Sequence, residues 1–382
     1  MRILHIIPGD NFTEGMTYQD NYLASINASD GNDVMILSSC RTWENSEIIY
    51  TNTCDKKMND GVRLVRKQYK KVINNYLTEK LRILEDAYQI ISSFKPDVIR
   101  VLNPHNFTLP IVVKYKKNHP HVRLYVDSHQ HYFNSGIGFI SYWIFHKLLV
   151  GTMLKKSIKH IDKILYSEEG VKTYLKEMYS VPEPKLELYP MGGLIYEGER
   201  RASIRITKRA ELGIMETDIL MIHSGKLEEP KKTKNILEAL KECKYENLKL
   251  VIIGSIPDSM RSVLEPLIKS DKRVTYLGWK SGDELVEYLC ASDIYLQPGS
   301  ASVTVKQALC CGNAVVVAQD IEGYDIFMDG TGFYATTKEE LLEIFNKFCD
   351  NRSDLIKMGE NSLTIAKELF DYEKLAKRLY KR

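Results

Sequence analysis

The sequence predicts an α/β protein with two doubly wound, Rossmann-like domains in tandem. Its 382 residues exceed what a single hydrophobic core usually supports. Short apolar runs alternate with helical patterns twice along the chain, with a break between the two series. The runs of the second series are continuously apolar, as in "LVIIGS" at residues 250–255, and strands buried on both faces require this.

In the first series, "RILHII" opens as a strand, followed by an amphipathic helix over 17–28 and the strand "DVMILSS". A long helix is expected over 76–94, then the strand "DVIRVLN", a helix over 109–118, "VRLYVDSH", an aromatic helix over 138–160, and "KILYSEE". The rhythm stops at "LELYPMGGLIYEGERRASIRITK". It resumes with the strands "ILMIHSGKL", "LKLVIIGS", "VTYLGW" and "DIYLQPGS", separated by helices over 235–241, 260–270 and 283–290. The expected domains are residues 1–192 and 193–364, followed by a terminal segment, 365–382. A ligand is expected where strand ends of both halves face a shared cleft.

Composition narrows the class. With 44% hydrophobic and 27% charged residues and 12 prolines, the chain is an ordinary globular protein. The opening apolar run, Ile3 to Ile7, is too short for a signal peptide, and no apolar run approaches the roughly 20 residues that span a bilayer. Seven cysteines without a Cys-x-x-Cys pair suit reduced thiols in a cytoplasm, so a cytoplasmic location is expected and a zinc site is not. The net charge is +3, but residues 51–160 hold 19 Lys/Arg against 7 Asp/Glu. That excess could meet an acidic substrate or an anionic membrane, or simply be solvated helix surface. Without a recognisable module, nucleic acid is not an expected partner. The segment "GFISYWIFHKLLVGTMLKKSIKH" could lie in a lipid interface, or pack on the sheet with its lysine end snorkelling to water.

Four stretches together resemble the family-four glycosyltransferases, retaining enzymes of the GT-B architecture. "SGKLEEPKKTKNILEAL" is similar to the family's Gly-Arg-Leu, three-residue gap, Lys-Gly and helix; Lys226 takes the arginine position and Lys231 the lysine position. Cations there would stabilise the charge that a leaving nucleoside diphosphate gains. The run from "LVIIGSIPDS" to "VTYLGWKSGDELVEYLCASDIYLQPGS" matches the family's base-binding segment. It implies contacts from Leu277, Gly278 and Trp279, with Gly225 and Gly254 permitting close approach; Gly254 could equally be a tight turn. "TEGMTYQDN" resembles a diphosphate-facing loop at a helix start, keeping Gly15 but carrying Glu14 beside it. In "YVDSHQHY", His129 falls on the family's histidine near the transferred sugar, where Asp127 could orient it or the two could be a buried polar contact. The ending "LFDYEKLAKRLYKR" resembles the family's final helix, which crosses back to the first domain.

In "QPGSASVTVKQALCCGNAVVV" the resemblance breaks. The family's two glutamates, eight positions apart, are replaced by Gly299 and Gln307. Gln307 retains one acceptor for a ribose hydroxyl, while Ser300 and Ser302 are the polar groups left beside Gly299. Ser302, Val303 and Thr304 are expected to offer amides and hydroxyls to a diphosphate. The resemblance implies a UDP- or GDP-sugar donor and a saccharide or lipid-linked acceptor in cell-surface polysaccharide assembly. It also implies retention and no required metal, in keeping with the lack of an Asp-x-Asp motif. The competing expectation is a catalytically silent, glycosyltransferase-like subunit that binds a partner enzyme or a glycan.

Overall fold

The computed structural model describes residues 1–44 and 47–381. It divides into two compact units: Met1–Pro190 together with Tyr372–Arg382, and Met191–Asp371.

The first unit is built on an eight-stranded sheet. From one edge its order is Leu186–Leu188, Lys163–Tyr166, Arg123–Ser128, Val98–Leu102, Arg2–Ile7, Asp33–Ser39, Arg63–Lys67 and Cys54–Lys57. Only the last pairing is antiparallel. The chain moves outward in one direction from Arg2–Ile7 and returns to its other side at Val98–Leu102, so the topological switch lies between those two strands. One face of the sheet buries Leu4, Ile6, Met35, Leu37, Ile99, Val101, Leu124 and Val126. Residues from the alternate positions, His5, Arg100 and Asp127, are equally buried on the opposite face.

That polar face is closed by the helices Gln19–Ser29 and Tyr372–Arg378, the latter held by Asn27 donating to the Ala376 carbonyl and Tyr189 donating to that of Leu375. The preceding helix, Arg352–Leu369, stays with the second unit. The long helix expected over 76–94 is in fact two, Asn75–Leu81 and Ala87–Phe94. Between them Arg82 and Asp86 take positive φ, and Leu84 forms a bridge with Tyr69. Leu84 is buried, so the apolar spacing that suggests a continuous helix is satisfied by an extended link. The aromatic segment is also irregular: Ile140–Val150 is a π-helix, continued by an α-helix over Gly151–Ser157. Among the described residues no helix is long and apolar enough to cross a membrane.

The second unit has a six-stranded, fully parallel sheet in the order Val274–Tyr276, Leu248–Ile253, Ile219–Ser224, Ile294–Gln297, Ala314–Val317, Gly332–Tyr334. Alternate residues feed two separate cores. Ile219, Met221, Leu250 and Ile252 join one, while Leu220, Ile222, Val251 and Ile253 join the other. This double burial explains the continuous apolar runs. The strand order reverses between Ile219–Ser224 and Ile294–Gln297, and the crevice beyond their carboxyl ends is the place this topology offers a ligand.

Two fully buried histidines make the fold acid-sensitive. Burial, with Arg100 adding repulsion, lowers the pKa of His5 to about 4; burial likewise lowers that of His223 to about 4. The unfolded chain protonates both near 6.5, so stability is complete above that value and declines as pH falls toward 4, by about 3 kcal/mol per histidine. Urea unfolding at pH 7 and pH 4.5 checks this; equal stability at the two values contradicts it.

Candidate functional site

At the switch point of the second unit three glycines bring loop backbones together. Gly254 has φ of +135°, and a Cβ there would lie 1.8 Å from the Gly225 carbonyl oxygen. The exits of neighbouring strands therefore touch directly, and only glycine fits. The close approach anticipated for Gly254 is made by the protein's own backbone. The Gly254 amide also donates to the Gly278 carbonyl at 2.8 Å.

Lys231 is folded into this corner. A Cβ on Gly225 would meet its Cε at 3.1 Å and its Nζ at 3.2 Å, so the ammonium lies over the end of the Ile219–Ser224 strand. Burial lowers the Lys231 pKa, opposed by the Glu228 carboxylate. The loop is anchored by His223, whose Nε2 lies 2.9 Å from the Thr233 hydroxyl and whose Nδ1 lies 2.8 Å from the Leu296 carbonyl. A neutral ring that donates from Nδ1 and accepts at Nε2 satisfies both contacts. Lys226 is placed differently: its side chain is 65% exposed and pairs with Glu228 at 2.6 Å. The two lysines aligned by sequence thus divide into one half-buried cation at the strand end and one solvated rim cation.

The position of the first missing glutamate is filled by backbone. A Cβ on Gly299 would lie 1.9 Å from the Pro230 carbonyl oxygen and 2.9 Å from the carbonyl carbon of Lys231. The Ser300 amide donates to that Pro230 oxygen at 2.9 Å, while Gln297 donates to the Ser300 carbonyl at 2.5 Å. The lysine loop and the loop after the fourth strand in sequence order are therefore clamped together. Only a residue without a Cβ leaves room for the clamp.

Gln307 is also turned inward. Its Oε1 accepts from the Leu194 amide at 3.1 Å, and its Nε2 donates to the Leu194 carbonyl at 3.0 Å. Both ends of the side-chain amide serve a backbone segment, where a ribose contact was anticipated. Gln307→Glu places a carboxylate against the Leu194 carbonyl, which then loses its donor. Such an unpaired, part-buried group costs about 1–3 kcal/mol, readable as a lower thermal midpoint; an unchanged midpoint contradicts the pairing.

Ser302, Val303 and Thr304 lead into the helix Thr304–Cys310. The Ser302 amide donates to the Tyr324 hydroxyl at 2.8 Å, and Val303 is exposed. Leu277 is half-buried against the second core, whereas Trp279 is 75% exposed just past Gly278. An indole open to solvent on a loop after a strand end offers an aromatic face to a planar ligand.

In the first unit, residues at the corresponding switch point form a polar chain. His129 Nε2 lies 3.6 Å from Asp127 Oδ1. The other oxygen of Asp127 accepts from Arg100, whose Nη1 reaches Asp20 at 2.7 Å. Burial alone would lower the Arg100 pKa, but Asp127 and Asp20 outweigh it and hold the guanidinium above its ordinary value. The His129 amide donates to Asn103 Oδ1 at 3.0 Å, and Asn103 Nδ2 donates to both carboxylate oxygens of Asp10 at 3.0 Å. Asp10 and Asn103 sit at the ends of the two strands flanking the switch. Sequence reasoning passed over them, although the signal was present: "PGD" and "NPH" directly follow the runs "RILHII" and "DVIRVL". Gly15 has φ of +74° in an exposed loop. Its neighbour Glu14 is neutralised by Lys56 at 2.7 Å and Arg66 at 3.7 Å, which removes the repulsion its charge would exert on a bound anion.

The chain is similar to known proteins in sequence and fold. The model of the family described as glycosyl transferases group 1 matches residues 204–364. An uncharacterized glycosyltransferase of Methanocaldococcus jannaschii is 26% identical over 243 residues, spanning 60% of this chain and 60% of that relative's length. Sucrose-phosphate synthase of Thermosynechococcus elongatus superposes with a TM-score of 0.65 at 16% identity, covering 99% of this chain and 97% of that one. HepE of Anabaena, solved in complex with UDP, gives 0.65 at 14% identity, covering 99% and 98%. At such identities the likeness is one of fold, and the fold is GT-B.

Proposed function

We propose, from the match of residues 204–364 to the model of glycosyl transferases group 1, that this chain is a glycosyltransferase moving a sugar from a nucleoside diphosphate donor to a hydroxyl of a saccharide or lipid-linked acceptor in cell-surface glycoconjugate assembly. The second unit binds the donor, and the first addresses the acceptor through Asp10, Asn103 and His129. The observation that carries the reading is the ammonium of Lys231 lying over the Gly225 turn at the switch point. A partly desolvated cation fixed at a strand end stabilises charge developing on a departing diphosphate. By its resemblance to the retaining, metal-independent transferases, the transfer proceeds with retention and without a required divalent ion: a donor phosphate oxygen takes the acceptor proton while the diphosphate departs from the same face. Ser302 to Thr304 and Trp279 complete the donor site at its phosphate and base ends. The exposed Trp143 and Leu148 of the first unit rest on an anionic membrane.

Release of nucleoside diphosphate from a panel of UDP- and GDP-sugars tests the reading. Turnover with at least one donor, lost in Lys231→Ala, is expected. A second reading, a silent subunit, is favoured by the inward amide of Gln307 and the filled space at Gly299. Absence of turnover with every donor, together with no thermal shift from UDP or GDP at millimolar concentration, selects it.

A further inference from the structure

The first unit carries a cavity of about 770 Å³ that the donor chemistry does not use. It opens between the helix Asn75–Leu81, the loop after His131 and the π-helix Ile140–Val150, and is within the roughly 300–1,000 Å³ that ligand pockets occupy. Its walls are apolar and open to water: Tyr76 is 66% exposed, Ile137 67%, Phe139 73% and Ile140 68%. So many bulky side chains gathered around one opening mark an interaction site, not scattered surface residues. An eleven-residue π-helix is itself rare and is typical of functional positions. It is held by His146, whose Nδ1 lies 2.6 Å from the Tyr179 hydroxyl.

The polar end of the cavity is cationic. Arg82 Nη1 lies 2.7 Å from His105 Nε2, and Lys80 sits at the rim with its Nζ 5.8 Å from both the Tyr76 and Phe145 rings. Among the described residues no Asp or Glu lines the cavity. Arg82 also extends to the first-strand turn: a Cβ on Gly9 would meet its Nη1 at 2.3 Å. The cationic end therefore adjoins Asp10 and the polar chain that leads to His129.

We infer that this cavity binds the hydrocarbon chain of a lipid-linked acceptor and that Arg82 and Lys80 bind its phosphate or diphosphate, a choice of acceptor that rests on the glycosyltransferase reading. An apolar cavity open to water on one side, with Arg82 and Lys80 at its polar end, complements an amphiphile with an anionic head. It matches a peptide or a second copy of this chain less well, since neither presents a long unbranched apolar segment joined to a phosphate.

The probe is geranylgeranyl phosphate at a concentration below its aggregation threshold, with binding to the full chain followed by calorimetry. Saturable binding is expected, with geranylgeraniol weaker and inorganic phosphate weaker still. The double variant Phe139→Ser/Ile140→Ser weakens the lipid phosphate by about tenfold or more, the loss of one good apolar anchor. Lys80→Gln reduces the preference for phosphate over alcohol, and the UDP-induced thermal shift is unchanged in both variants. The inference is overturned if no saturable binding occurs, or if the variants bind like the parent. It is equally overturned if only vesicles containing phosphatidylglycerol bind, or if the apolar substitutions merely abolish a dimer. Loss of the UDP response with lipid binding intact removes the glycosyltransferase reading and leaves the lipid pocket standing.

Discussion

Gly299→Glu, which supplies the carboxylate of the resembled family, destabilises the protein and abolishes its response to nucleoside diphosphates. A Cβ at this position meets the Pro230 carbonyl oxygen at 1.9 Å, and since a Cβ is fixed by its own backbone and the contact is backbone too, no rotamer change relieves it. The clamp made by the Ser300 amide on Pro230 opens, and the lysine loop is displaced from Gly225. Overpacking of this severity costs about 3 kcal/mol, a fall in thermal midpoint of roughly 6–12 °C for a unit of this size. Gly299→Ala separates sterics from charge: it carries the same Cβ without a carboxylate and suffers a comparable fall. Scanning calorimetry with and without UDP reads both effects. A glutamate variant as stable as the parent contradicts the clamp.

Lys231→Met shows the opposite pattern, stability kept and function lost. Burial already opposes the charged form of Lys231, so an isosteric apolar side chain leaves the thermal midpoint unchanged or higher, as expected where a site is built at the expense of stability. Turnover falls by about 10²–10³, the usual loss when one fixed stabilising group is removed from a transition-state site. The same shift sets the sign of the pH dependence. Because the Lys231 pKa lies below the usual 10.5, the cation is lost at a lower pH than for a solvated lysine, and diphosphate affinity declines as pH rises. Titration of UDP binding between pH 7 and 10 checks this, and a flat profile in the parent contradicts a role for the ammonium.

The continuous apolar runs predict the second sheet because its four inner strands are buried on two faces, a condition that leaves little choice of residue type. The position of Lys231 after a strand was legible for a similar reason: a short loop tethered to a strand end has little freedom. What sequence could not convey was contact between distant backbones. Gly299 reads as a missing acid, and only its approach to Pro230 reveals a clamp. Gln307 reads as a weakened ribose ligand, yet its amide fits the Leu194 backbone, 113 positions away. The expected helix over 76–94 fails where Arg82 and Asp86 adopt positive φ, a backbone choice that local propensity does not encode for such residues. The same break delivers Arg82 to Gly9 and His105, so the irregular link creates the polar end of the lipid cavity.

The most direct measurement is a crystal structure of the full chain soaked with UDP or GDP. The pyrophosphate is predicted to lie at the ends of Ile219–Ser224 and Ile294–Gln297, with Lys231 Nζ within about 3 Å of a phosphate oxygen. Nucleotide bound elsewhere, or Lys231 still lying on Gly225 and touching no phosphate, contradicts it.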